Sequence, residues 1–278
     1  MTRRDDMDAR QAAALLAWQV EMGADEAIAE MPIDRLAGEK PPAPPRKEMP
    51  PAAPEAAQPR QYPPQAGPRD PAARQQAAQA AQCATLEEIA AALDAMTDFP
   101  LRATATHTVH TDGNPRAHVM LIGEAPGREE DLRGRPFVGR SGQLLDRMLA
   151  AIGLSRQAEE PESSVLISNV VFWRPPGNRK PTEQEAAHCL PWLERTIEIA
   201  RPRVIVCLGA TPAHHLTGQT KGILKLRGTW LDYAGKDGAI PVLPTLHPAY
   251  LLRQPVQKRL AWRDFLSLKI RLEELRQT

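Results

Sequence analysis

The residues best suited to chemistry in this chain sit in four short loops. The first, GEAPGREED (123–131), places Glu124, Glu130 and Asp131 around Gly123, Pro126 and Gly127. The second, NVVFWRPPGNRKP (169–181), opens on Asn169, the third is LGATP (208–212), and the fourth, HPAYLLRQP (247–255), opens on His247. A carboxylate can hold water, an amide can read the edge of a polar ring, and an imidazole can donate to developing negative charge. The glycines also suggest a phosphate cradle, but GEAPGREED lacks the Lys-Ser/Thr end of such a loop.

Each loop follows an apolar run short enough to be a buried strand. HVMLIG (118–123), SVLISNVV (164–171), RVIVCLG (203–209) and AIPVLPTLH (239–247) are those runs. Helical patterns separate them: SGQLLDRMLAAIGL (141–154) with Ser141 as cap, residues 181–200 started by Pro181-Thr182, and residues 255–275. Strands alternating with helices imply right-handed crossovers, a parallel sheet and helices on both faces. In such a sheet the strand ends share one edge, so Glu124, Asn169 and His247 should converge there.

The remaining chain reads differently. Residues 8–22 are rich in helix formers, but one short helix is marginal alone. Between Lys40 and Pro71, Pro fills 12 of 32 positions, which predicts a semi-extended tether. Residues 72–95 read as helix broken near Thr85, where Thr85 and Glu88 can form a capping box. The expected organisation is a helical segment at 1–31, a linker at 32–76 and a catalytic domain at 77–278. Residues 1–95 hold 10 Lys/Arg against 15 Asp/Glu, whereas 96–278 hold 25 against 19. That modestly basic domain suits an anionic partner. Three cysteines argue against a disulfide framework. No run approaches a membrane span, and the N-terminus lacks a signal-peptide core, so the expectation is a cytoplasmic protein without membrane contact.

Together GEAPGREEDLRGRPFVGRSGQLLD, NVVFWRPPGNR, CLPWLE and HPAYLLR resemble the family 4 uracil-DNA glycosylases, from about Phe99 to the C-terminus. The resemblance implies a three-layer α/β/α fold around a four-stranded parallel sheet, with an N-terminal helical extension outside the match. It implies a monofunctional glycosylase of DNA repair acting on uracil-containing DNA; a monomer is expected, and the N-terminal helix and linker, outside the resemblance, are the expected place for any protein partner. By resemblance His247 stabilises charge on a uracil carbonyl and Asn169 reads the base edge. Phe137 stacks on the flipped base, and backbone at Gly123 to Ala125 cradles it. Glu130 and Asn178 match polar positions implicated in catalysis. Family 1 enzymes carry an Asp where this chain has Ala125, which shifts the water-positioning task to Glu130, with Glu124 as scaffold. DNA contacts are expected from Arg174, Arg179, Lys180, Tyr250, Leu251 or Leu252 as wedge, and Arg253. By residue type alone His247 before Pro248 also suits a helix cap, Asn178 beside Gly177 a turn, and the two leucines a helix-start core.

Family 4 members typically hold a [4Fe-4S] cluster on four cysteines. Here the matching positions carry Met96, Phe99 and Trp173, and Cys189 alone is retained. Four thiolates are needed for such a cluster, so no cofactor or metal is expected. Two other readings remain: a glycosylase for hypoxanthine or xanthine, and a non-catalytic binder of uracil or damaged DNA.

Overall fold

The computed structural model describes residues 71–276 apart from Asp98. The helical segment and most of the tether expected near the N-terminus lie outside the described residues. The first described helix, α1 (Pro71–Ala80), starts inside the stretch read as linker. It is followed by α2 (Leu86–Ala95) and α3 (Pro100–Thr104). Thr85 caps α2, its hydroxyl accepting from the Glu88 N–H, while the Glu88 carboxylate reaches back to the Ala84 N–H.

Six strands form one sheet in the order β1-β3-β2-β4-β6-β5. They are β1 (Asp112–Gly113), β2 (Val119–Gly123), β3 (Val165–Asn169), β4 (Val204–Leu208), β5 (Leu231–Gly235) and β6 (Gly238–Thr245). The four central strands β3-β2-β4-β6 are parallel, as expected from the alternation. The two edges are antiparallel additions: β1 pairs with β3, and β5 forms a hairpin with β6 across Lys236-Asp237. Helices α4 (Arg128–Arg133), α5 (Arg140–Ala150), α6 (Glu183–Ala200), α7 (Ala210–Thr217), α8 (Ile223–Leu226), α9 (Pro248–Arg253) and α10 (Lys258–Arg276) complete the described chain.

Strands β2, β3 and β4 and the second half of β6 are buried on both faces, which is why they read as continuous apolar runs. Their side chains still alternate between two cores. Met120, Ile122, Leu166, Ile205 and Cys207 join the core that includes Leu93 and Trp192. Val119, Leu121, Val165, Ile167, Val204 and Val206 join the core on the face of α5 and α10, with Leu145, Phe265 and Leu268. Helix α1 is tied to α6: the Trp192 indole N–H donates to buried Gln76 at 2.8 Å, and Arg195 donates twice to the Cys83 carbonyl. No helix among the described residues is long and apolar enough to cross a membrane.

Met96, Phe99, Trp173 and Cys189, the positions expected to match cluster ligands, lie in one buried apolar core. The Phe99 ring stacks on His188 at 4.3 Å and tilts against Trp173 at 5.1 Å, and the Trp173 N–H donates to Thr108. Met96 is buried, and burial pushes the Cys189 thiol up to about 12. One protonated thiol amid aromatic rings does not fit a four-thiolate cluster.

His110, buried in the first core's flank, donates Nε2–H to the Thr196 hydroxyl at 2.8 Å, since that hydroxyl already donates to the Trp192 carbonyl. Burial lowers its pKa from 6.5 to about 4. The folded state therefore binds this proton less readily than the unfolded chain, and stability falls as pH drops from 6.5 toward 4. The expected loss between pH 7 and pH 5 is about 2 kcal/mol from this residue. Urea unfolding at the two pH values measures it, and His110→Gln flattens the difference by that amount.

Candidate active site

Strand order reverses at β2, which has the later strand β3 on one side and β4 on the other. Open α/β sheets form clefts outside the carboxyl ends of strands at such a reversal. Here that edge carries a cleft of about 670 Å³. Glu124, Ala125, Glu130, Phe137, Asn169, Asn178 and His247 all line it, together with Lys180, Tyr250 and Arg253. Gly123 lies directly behind, in register with Asn169 across the parallel β2–β3 pair. The convergence expected from sequence is thus present.

Gly123 is needed for its lack of a side chain. A Cβ there would overlap the Asn169 amide oxygen and lie 2.7 Å from the Phe137 ring. The amide and the ring therefore pack against bare backbone. Phe137 itself adopts φ 52°, a left-handed conformation that costs a non-glycine residue energy. Arg156, only 7% exposed, holds it there, donating to the carbonyls of Pro136 and Phe137 at 2.9 and 3.0 Å. Its charge is met by Asp112 and Asp146, both at 2.8 Å. Gly142 completes the clamp, because any Cβ there would run into the Phe137 backbone. Arg156 gives no local sequence signal, since its partners lie 10 to 44 residues away.

His247 is a helix cap and also lines the cleft. It is the N-cap of α9, its Nδ1 accepting from the Ala249 N–H at 3.1 Å. That bond leaves the ring proton on Nε2, a donor lining the cleft. The ring lies 5.5 Å from that of Phe137. Burial lowers its pKa to about 4; nearby Arg253 adds to the effect and Glu130 opposes it. At neutral pH the imidazole is therefore an uncharged N–H donor.

The two acids, both lining the cleft, are held differently. Glu130 was expected to position water, but its carboxylate accepts three backbone N–H groups: Val138 and Gly139 at 2.9 Å and Gly127 at 3.2 Å. It ties α4 to the loop that presents Phe137. Glu124, expected to be scaffold, lines the cleft half-buried and accepts from the Thr211 hydroxyl on α7. Thr211 was missed because LGATP offers no chemistry on its own.

The expected DNA contacts divide similarly. Leu251 is fully buried and cannot be a wedge, whereas Leu252 is 37% exposed. Arg179 is a bidentate partner of Glu185 at 2.7 and 2.8 Å and helps close the α6 N-terminus, so its fork is already engaged. Arg174 donates to the Asn178 side chain at 2.7 Å and holds the turn at φ 55° that Asn178 occupies. Lys180 and Arg253 are exposed on the cleft rim, and Tyr250 is half-buried beside them.

Comparison with known proteins places the chain in a family. The family model described as "Uracil DNA glycosylase superfamily" matches residues 110–266. A type-4 uracil-DNA glycosylase of Thermotoga maritima is 44% identical over 56% of this chain and 78% of its own length. One from Archaeoglobus fulgidus is 37% identical over 66% of this chain and 92% of its own. A type-5 uracil-DNA glycosylase of Pyrobaculum aerophilum is 37% identical over 35% of this chain and 46% of its own.

Proposed function

The chain belongs to the uracil-DNA glycosylase superfamily, and on that premise we propose that its cleft takes uracil flipped from DNA and hydrolyses the N-glycosidic bond. The observation that carries this reading is one cleft lined by a buried amide, an aromatic ring and a neutral imidazole N–H donor. Uracil in a stack is out of reach, so the nucleotide leaves it and enters the pocket. Phe137 stacks on the ring, and the Asn169 amide offers both a donor and an acceptor to the uracil edge. Cytosine presents the opposite pattern there and is refused.

The C1′–N1 bond breaks with its electron pair passing to uracil, whose anionic charge spreads onto the carbonyl oxygens. The His247 Nε2–H donates to one of them, where a fixed donor in a water-poor site is most effective. The sugar is left oxocarbenium-like, and water adds at C1′ and loses its proton, giving the abasic site. Glu124 orients that water from the cleft wall, with one carboxylate oxygen held by the Thr211 hydroxyl. Rim contacts to the strand come from Lys180, Tyr250, Leu252 and Arg253. Incubation with oligonucleotides carrying single uracil, hypoxanthine or xanthine tests the base. Free uracil with an abasic strand supports the reading, and release of hypoxanthine or xanthine without uracil overturns it.

The reaction proceeds with no step through an iron–sulfur cluster, since three of the four ligand positions hold side chains without a thiol. The purified protein is expected to be colourless and to contain no stoichiometric iron by metal analysis after anaerobic preparation. A broad visible absorbance with about four iron per chain would contradict this.

A further inference from the structure

Beyond the base pocket, the cleft has a rim that none of the assigned DNA contacts uses. We propose that α8 is a second DNA-engaging lip, on which Leu224 enters the duplex stack beside the flipped nucleotide while Lys221 and Lys225 meet flanking phosphates. This deepens the glycosylase reading and rests on it.

Leu224 is 59% exposed, yet it lines the same cleft as His247 and Asn169. Its neighbour Ile223 does the opposite and packs against the small core of Leu246, Leu251 and Ala261 beneath α9. The pair thus anchors one leucine-sized side chain and leaves the next in water at the cleft mouth. A single exposed leucine is ordinary on a protein surface; this one is set apart by its place in the cleft lining and by the exposed lysines on either side of it.

The lip is rigid. Arg227, just after α8, donates to the Leu260 carbonyl at 2.8 Å and forms an ion pair with Asp264, which is 1% exposed. Asp264 also accepts from the Thr245 hydroxyl at 2.7 Å, two residues before His247. The Gly228 N–H donates to the Pro244 carbonyl at 2.9 Å, and the His214 imidazole holds the Lys221 carbonyl at 2.9 Å. The lip is therefore fastened to the strand end that delivers His247, so its placement relative to the pocket is fixed before DNA arrives.

The charge identifies the occupant. The segment GQTKGILKLRG (218–228) contains Lys221, Lys225 and Arg227 and no acid. Arg227 is engaged internally, while Lys221 and Lys225 are exposed, as are Lys180 and Arg253 on the same cleft's rim. An apolar tip flanked by cations suits stacked bases between phosphates, and apolar wedges inserted between base steps are a known way to stabilise a distorted duplex. Leu252 on α9 and Leu224 on α8 then fill the stack from two adjacent elements.

Steady-state release of uracil from the full chain, on matched single- and double-stranded oligonucleotides, tests this. Refilling a vacated stack matters only in a duplex, so Leu224→Ala should lower the duplex-to-single-strand ratio of kcat/KM about tenfold. Leu224→Met should restore most of that ratio. Lys221→Gln with Lys225→Gln should reduce the slope of log affinity against log salt by about two, roughly one per lysine. An unchanged ratio in Leu224→Ala, or equal loss on both substrates, overturns the lip. If the wild type releases no uracil even from single strands, the glycosylase reading fails instead.

Discussion

Replacing His247 with Ala lowers the single-turnover rate of uracil release by about a hundredfold or more, the scale seen when one oxyanion donor is lost. Binding of uracil-containing DNA changes far less, because the charge that Nε2–H meets develops only as the bond breaks. The pH dependence separates this account from one in which a charged imidazole does the work. Burial, reinforced by Arg253, holds the His247 pKa at about 4. The ring is neutral above that value, and the rate shows no inflection near 6.5 from this group. Loss sets in only as pH falls toward 4, where the ring protonates and gives up its bond from the Ala249 N–H. A rate that rises as pH drops through 6.5 would mean an imidazolium donor and contradict the assignment.

Gly123→Ala is expected to abolish most activity while leaving the fold largely in place. The added methyl meets the Asn169 amide and the Phe137 ring together, so both must shift to admit it. Misplacement of about 1 Å in a positioning group costs roughly a hundredfold in rate. Such small-to-large changes in a packed site cost about 1–3 kcal/mol of stability, which thermal unfolding reads independently of rate. Near-normal kcat/KM in this variant would show that the amide and the ring are not held where the account needs them.

Much of this was readable before the structure. The four parallel strands, their loops and the convergence of Glu124, Asn169 and His247 follow from apolar runs alternating with helices. Local physics marks Thr85 as a helix cap, and it is, whereas Ser141, expected to cap α5, lies inside that helix, whose N-cap is Gly139. What escaped depends on distance or register. The β5 strand and the Lys236-Asp237 turn carry half-exposed side chains, too weakly patterned to separate from loop. Leu251 and Leu252 are adjacent, and which one faces the core depends on how α9 is rotated, set here by the His247 cap. The partners of Glu130 are three backbone N–H groups, which no residue type announces. Arg156 and the Arg227–Asp264 pair join segments far apart in the chain. The packing of Phe99 between His188 and Trp173 likewise joins segments far apart in the chain.

The central claim is that a neutral imidazole and a buried amide at the carboxyl edge of the sheet release uracil. The most direct measurement is single-turnover base release from a uracil oligonucleotide by wild type and Asn169→Ala, with free base and abasic strand quantified by mass spectrometry. The account predicts one uracil and one abasic site per wild-type turnover, and a loss of about a hundredfold in Asn169→Ala, a scale set by loss of a positioning contact. Tight binding without base release by the wild type, or undiminished release by Asn169→Ala, would contradict it.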